Sequence, residues 1–85
     1  MPIYFFDSQD GGRHKDLEGV DLPNLDTAKL EAVKMAGEML RDYPNQLWRS
    51  HGWRVTVRDQ EHQTLFVIRV AAGAAAADVV ELKTR

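Results

Sequence analysis

The feature that most constrains the fold is a single helical pattern set between strand patterns. From Leu25 to about Asp42, apolar residues recur at spacings of three and four, the period of one face of an α-helix. These residues are Ala28, Ala32, Met35, Ala36, Met39 and Leu40. Asn24 precedes the pattern as a candidate N-cap, and Pro44 follows it as a helix breaker. The sequence therefore predicts one helix over residues 25–42.

Strand patterns flank this helix on both sides. Before it, PIYFFDS predicts a strand over residues 2–8, because aromatic and β-branched residues favour strands. The DGG turn at residues 10–12 predicts a hairpin, completed by a short, charged strand near residues 13–17. After the helix, residues 53–58 alternate between apolar and polar side chains. Residues 64–70 are apolar at nearly every position, which is typical of a central strand.

Two hairpins on either side of one helix predict an α+β domain of order ββαββ. Its sheet would be small and antiparallel or mixed, with the helix packed on one face. The predicted core consists of Ala32, Met35, Ala36, Met39, Trp53, Val55 and Val57, together with Phe66, Ile68 or both. Residues 45–50 predict a loop or a single turn, anchored by Leu47 and Trp48.

The length of 85 residues allows one domain. We assign that domain to residues 1–70 and treat the Ala-rich residues 71–85 as a tail that could be helical. The sequence has no cysteine, which fits a reducing compartment. No window approaches the roughly 20 apolar residues of a membrane helix, and MPIYFF reaches Asp7 too soon for a signal peptide. We therefore expect a soluble, cytoplasmic protein with no membrane contact.

Charge is distributed unevenly along the chain. The net charge is −2. Residues 1–42 hold nine acids and five bases, whereas residues 43–85 hold four acids and six bases. We expect any anion-binding surface to lie in the second half.

Several sequence pieces, taken together, resemble a known family. They are MPIYFFD, DGG, the stretch D-x-E-G-V-D-L-P-N-L-D-T-A before the helix, and the strand G-W-x-V-x-V-x-D. The combination resembles a family of short, uncharacterised alphaproteobacterial proteins, common in rhizobia and their relatives, that is known as a domain of unknown function. The resemblance covers about residues 1–70 and leaves out the tail from Ala71. It implies a bacterial, cytoplasmic origin and supplies no catalytic residue.

The stretch DSQDGGRHKDLE, residues 7–18, has the Asp, Gly and Glu spacing of a calcium-binding EF-hand loop. Three ligand positions do not fit, because Gln9 is a poor ligand, Gly11 has no side chain and Lys15 is a cation. The residues before the stretch predict a strand, where an EF-hand needs a helix. We therefore expect a turn with solvated charges.

The sequence contains no motif of an enzyme active site or of a metal site. The three histidines, His14, His51 and His62, lack zinc-site spacing, and we expect them on the surface. His14 with Asp16 could offer two ligands, which do not make a complete site. No serine lies in a nucleophile elbow, and no glycine-rich phosphate loop is present. We predict no enzyme activity, no metal and no cofactor.

The best functional candidate is the face of the sheet that points away from the helix. Alternation places Arg54, Thr56 and Arg58 there, and Arg69 could join them from the next strand. Three interpretations stay open for this face. It could be solvated, it could form a dimer interface, or its arginines could contact nucleic-acid phosphates while Tyr4 or Phe6 stacks on bases.

We predict a small non-enzymatic interaction module that forms a homodimer through its sheet. One helix can cover only one face, yet residues 2–8 and 64–70 place large apolar side chains on both. The tail could cover the second face within one chain instead. The alternative function is a regulatory binding protein, antitoxin-like or nucleic-acid-binding, that uses the Arg54/Thr56/Arg58 face. Another protein is a possible partner, and the negative net charge weighs against nucleic acid.

Overall fold

A computed structural model of the chain describes residues 2–73. It contains five strands and two helices. In chain order they are β1 (Ile3–Gln9), β2 (Arg13–His14), β3 (Val20–Asp21), α1 (Leu25–Asp42), α2 (Pro44–Arg49), β4 (Trp53–Arg58) and β5 (Thr64–Val70). The predicted helical tail lies outside the described residues beyond Gly73.

The strands form one antiparallel sheet in the order β2-β1-β4-β5, and β3 pairs with β1. Helix α1 packs over β4 and β5. The predicted α+β class is therefore confirmed, with the sheet antiparallel and the main helix on one of its faces. No helix in residues 2–73 combines the length and apolar character needed to cross a membrane.

Helix α1 begins and ends where the sequence predicts. The side-chain oxygen of Asn24 accepts a hydrogen bond from the backbone N–H of Thr27 at 2.9 Å, which satisfies one of the free donors of the first turn. Asp26 in that turn complements the positive end of the helix dipole. At the other end Tyr43 caps the helix, and Pro44 starts α2.

The core lies between α1 and the sheet. Three small residues on one face of the helix, Ala28, Ala32 and Ala36, let it approach the strands closely. Val55 and Val57 are fully buried beneath it. Tyr4 belongs to this cluster, whereas the predicted core residue Trp53 is buried outside it. Four further predicted core residues are only partly buried: Met35, Met39, Phe66 and Ile68. The alternation of β4 is thus confirmed.

Three local predictions need correction. The predicted strand at residues 13–17 is only two residues long, and the chain returns to β1 as the additional strand β3. Residues 44–49 form helix α2, and Trp48 is 69% exposed rather than an anchor, because it points away from the core. Strand β5 has the composition of a central strand but lies at an edge of the described sheet.

Candidate functional site

The face of the sheet opposite α1 carries the four candidate residues Arg54, Thr56, Arg58 and Arg69. Within β4, Arg54, Thr56 and Arg58 alternate with the buried apolar side chains, and Arg69 of β5 lies directly across from Arg54. Arg54 and Arg69 are exposed, and Thr56 is half-buried. Arg58 is only 7% exposed. The structure thus brings the four residues to one face but leaves only two of the arginines open to solvent.

The guanidinium of Arg58 is occupied within the chain. Its Nε and Nη2 donate to the two carboxylate oxygens of Asp7 at 2.6 and 3.1 Å. Nη1 lies 2.7 Å from Nδ1 of His62, and Nη2 also donates to the backbone carbonyl of Asp16 at 3.3 Å. The Arg58 Cζ atom lies over the Phe5 ring, 5.2 Å from the ring centroid. Arg58 therefore holds β1, β4 and the segment after β2 together.

This ion pair shifts the titration of both partners. The hydrogen bond from Arg58 lowers the pKa of Asp7 below its ordinary value, although burial acts in the opposite direction. The same hydrogen bond raises the pKa of Arg58. A bidentate arginine–carboxylate pair with little exposure is stronger than a solvated one. The pair therefore fixes the register of β1 against β4.

Asp16 completes the outer edge of β1. Strands β2 and β3 cover the two ends of that edge, and between them the Asp16 carboxylate accepts the backbone N–H of Phe6 at 3.0 Å. Its other oxygen accepts the N–H groups of Glu18 and Gly19, each at 3.0 Å, and its own N–H donates to Asp7 at 2.9 Å. A side chain thus supplies the hydrogen bond that a neighbouring strand would supply.

The hydrogen bonds that Asp16 accepts change its pKa. Burial raises it, but the backbone hydrogen bonds from Gly19, Phe6 and Glu18 outweigh burial, and the pKa of Asp16 is lowered overall. Three donors to one carboxylate favour its charged form.

Gly19 lets residues 16–19 lie against the face of the sheet opposite α1, the open face. Its φ of +76° is in the left-handed region, and a Cβ there would approach Ile3 Cγ2 to 2.5 Å and Phe5 to 3.0 Å. Only glycine avoids both the strain and the contact. The segment therefore covers apolar side chains of β1 that the sequence alone would leave exposed.

The opposite edge of the sheet is built differently. Across residues 2–73, β5 pairs with β4 and with no other strand. Its seven residues carry one charged side chain, Arg69, and Leu65 is 40% exposed. An exposed apolar edge strand offers unpaired backbone groups to another chain. β5 is therefore the most accessible pairing surface in the described structure.

Helix α1 extends this surface beside β5. A cavity of about 400 Å³ opens between α1 and the β1 edge, and Glu31 and Met35 line it from the helix. At about 100° per residue, Val33 lies roughly 160° around α1 from both of them, and Leu40 is close to Val33. Val33 is 57% exposed. Val33 and Leu40 therefore lie on the flank nearer β5.

The calcium-like stretch forms a strand, a turn and a short strand as predicted, but two of its charges are not solvated as predicted. Asp7 is paired with Arg58, and Asp16 accepts backbone donors, so neither carboxylate is free. In the described part of the chain, no three His, Asp or Glu side chains gather in an arrangement that could hold a metal ion.

The roles of three side chains were not predicted from the sequence: Asp7, Asp16 and Trp53. Asp7 could have been found, because alternation puts it on the face of Arg58 once β1 and β4 are paired. Asp16 gave only a weak signal, the Asp-x-x-Gly spacing of a turn. The indole N–H of Trp53, which is buried and has no hydrogen-bond acceptor among residues 2–73, leaves no trace in the sequence.

A family model described as "Domain of unknown function (DUF6894)" matches residues 3–72. No curated protein and no solved structure matches the chain.

Proposed function

The chain belongs to the DUF6894 family of domains of unknown function, and we propose that this domain is a non-enzymatic interaction module that forms a homodimer through the outer edge of β5. The observation that carries the proposal is the mismatch between the composition of β5 and its position. Strands that are apolar on both faces are normally covered on both faces and paired on both edges. A second copy of β5 would give the strand the central place that its sequence favours.

Two-fold pairing of β5 would also bring the helices together. Neighbouring strands lie about 4.8 Å apart, so a two-fold axis would lie about 2.4 Å beyond β5. A helix centred between β4 and β5 would then lie about 5 Å from the axis, and the two copies of α1 about 10 Å apart. Helices pack at about 8–10 Å. The position of α1 over β4 and β5 therefore suits a joint helix and strand interface.

The flank of α1 on this side has the chemistry for such a contact. Val33 and Leu40 lie on this flank, and Leu30 and Gly37, at spacings of three and four from them, continue the stripe towards the solvent side of the helix. Leu30 is 64% exposed. A Cβ at Gly37 would meet nothing within 4 Å, so packing within residues 2–73 does not require glycine there. Glycine within a helix costs about 1 kcal/mol relative to alanine, and a close approach by another helix would account for it.

The open face is less suitable than the edge for a second copy. It carries Arg54 and Arg69 side by side, and its aromatic side chain nearest β3, Phe5, is already covered by Arg58 and Gly19. A face-to-face dimer would bury unpaired guanidinium groups, which is costly without counter-ions. We therefore place the dimer contact at the β5 edge rather than over the centre of the face.

Matched lysine substitutions separate the two arrangements. Val67 is the middle residue of β5, and Thr56 lies directly across from it on the inner strand β4, on the same face. We expect the unchanged protein to have twice the mass of one chain by light scattering at micromolar concentration. Val67→Lys should give a monomer, because two like charges would meet near the two-fold axis. Thr56→Lys should stay dimeric.

A folded monomer for the unchanged protein would contradict the homodimer. Loss of the dimer in Thr56→Lys as well as in Val67→Lys, with circular dichroism unchanged, would place the contact on the face. Retention of the dimer in Val67→Lys would exclude the β5 edge.

A further inference from the structure

A small cavity lies where β4 begins and β5 ends. Its volume is about 280 Å³. It is lined by Gln9, His51, Gly52, Trp53, Arg54, Arg69, Val70 and Ala71. Successive strand residues point to opposite faces, so a cavity lined by both Trp53 and Arg54 lies around the end of β4 rather than over its middle. The lining includes two arginines and no carboxylate from the described part of the chain.

The two arginines form an unfavourable pair. Arg54 and Arg69 are directly opposite on neighbouring antiparallel strands. Within residues 2–73, neither has a carboxylate oxygen within 4.0 Å. Directly opposed like charges destabilise a sheet, and a bound anion would reverse the sign of this contribution.

Trp53 also lines the cavity and holds a buried donor. Trp53 is 2% exposed, and its Nε1–H has no acceptor among the described residues. Buried polar groups in folded proteins almost always have a hydrogen-bond partner. The indole can only donate, as can both guanidinium groups. The cavity therefore carries two charged donors and no negatively charged acceptor from the described residues.

We propose that this cavity binds a phosphate group carried by a small molecule. The planar guanidinium fork matches the spacing of phosphate oxygens and binds them in a bidentate manner. Two forks from adjacent strands can contact one phosphate, while the Gln9 amide offers a further donor. A small ligand fits better than a nucleic-acid strand, because the cavity holds only about 280 Å³ and the chain has a net charge of −2.

The chain supplies its own reporter and internal control. It has two tryptophans, of which Trp53 lines the cavity and Trp48 is 69% exposed on α2. In a ¹⁵N-labelled sample titrated with inorganic phosphate, the Trp53 indole resonance should shift and saturate, whereas that of Trp48 should not. Potassium chloride at equal ionic strength should produce no saturating shift in either resonance.

Variants test whether the arginines hold the phosphate. Arg54→Gln and Arg69→Gln should each weaken phosphate binding about tenfold or more, since each removes charged hydrogen bonds. Arg49→Gln removes an exposed arginine outside the cavity and should leave the affinity unchanged. The monomeric Val67→Lys protein should also bind phosphate, which separates this site from the dimer contact.

The proposal fails if phosphate leaves the Trp53 indole resonance in place, or if chloride moves it equally. It also fails if Arg54→Gln and Arg69→Gln bind phosphate as tightly as the unchanged protein. A single-stranded oligothymidylate that shifts the Trp53 resonance where inorganic phosphate and pyrophosphate do not would contradict a small ligand and assign the site to a nucleic-acid backbone.

Discussion

The two edges of the sheet differ in whether their backbone hydrogen-bonding groups have partners in the described structure. On the β1 side, the short strands β2 and β3 cover the edge in part, and the Asp16 carboxylate accepts the remaining Phe6 N–H. On the β5 side, seven mostly apolar residues have no strand beyond them in the described structure. Charged side chains and very short strands protect an edge from pairing, whereas long apolar strands invite it.

The contrast separates a closed edge from an open one. The closed edge uses polar contacts that are local to one chain, centred on Asp7, Asp16 and Arg58. The open edge has composition suited to burial but nothing in residues 2–73 to bury it. We therefore expect substitutions at the closed edge and at the open edge to change the free energy of unfolding by different amounts.

The largest expected effect is on the closed edge. Arg58→Gln would leave the Asp7 carboxylate without its cation, and removing one partner of a buried pair costs several kcal/mol. Because the Asp7 side chain keeps 23% of its exposure, we expect a smaller loss of about 2–3 kcal/mol. Arg54→Gln, two residues earlier and exposed, should change stability by less than about 0.5 kcal/mol. Urea unfolding of both variants measures the difference, and equal losses would contradict the role of Arg58.

The next effect concerns the carboxylate that replaces a strand. Asp16→Ala would leave the N–H groups of Phe6, Glu18 and Gly19 without their acceptor, which should cost about 1–3 kcal/mol. Hydrogen exchange at the Phe6 amide should accelerate more than exchange at β4 amides. Asp10→Ala, in the adjacent turn, removes a 3.4 Å contact to the Gly12 N–H and a 3.5 Å contact to His14 Nε2, and is the control. Unchanged exchange at Phe6 would show that Asp16 does not protect the edge.

A smaller effect is expected on acidification. The pKa values of Asp7 and Asp16 are below their ordinary value of 3.8 in the folded chain. A lowered folded-state pKa stabilises the fold above the unfolded-state pKa, and that contribution is lost as the pH falls through the folded-state pKa. The free energy of unfolding should therefore decrease below about pH 4. In Arg58→Gln this decrease should be shallower, and an identical pH profile would contradict the coupling.

Local signals in the sequence sufficed for α1 and β4. Asn24, Asp26 and Pro44 act on the helix through their own backbone geometry, and the alternation from Trp53 to Val57 reports burial directly. Such features depend on neighbours in the chain. They could be predicted because no distant contact overrides them.

The closed edge could not be predicted in the same way. The sequence predicts Arg58 as a solvent-exposed cation. Its partner Asp7 lies 51 residues earlier in the chain and meets it only after β1 pairs with β4. Asp16 replaces a strand only because Gly19 turns the chain towards β1. The position of β5 likewise follows from strand order, which composition does not determine.

Inter-copy distances test the account most directly, because the chain contains no cysteine and accepts single spin labels. A label at Leu65→Cys lies on the open edge, and one at Arg13→Cys lies on β2, three strands away. With strands about 4.8 Å apart, pairing through β5 should bring the labels at 65 within about 20 Å and separate those at 13 by about 34 Å. Short distances at position 13 with long ones at position 65, or no coupling between copies at either position, would contradict an open β5 edge occupied by a second copy.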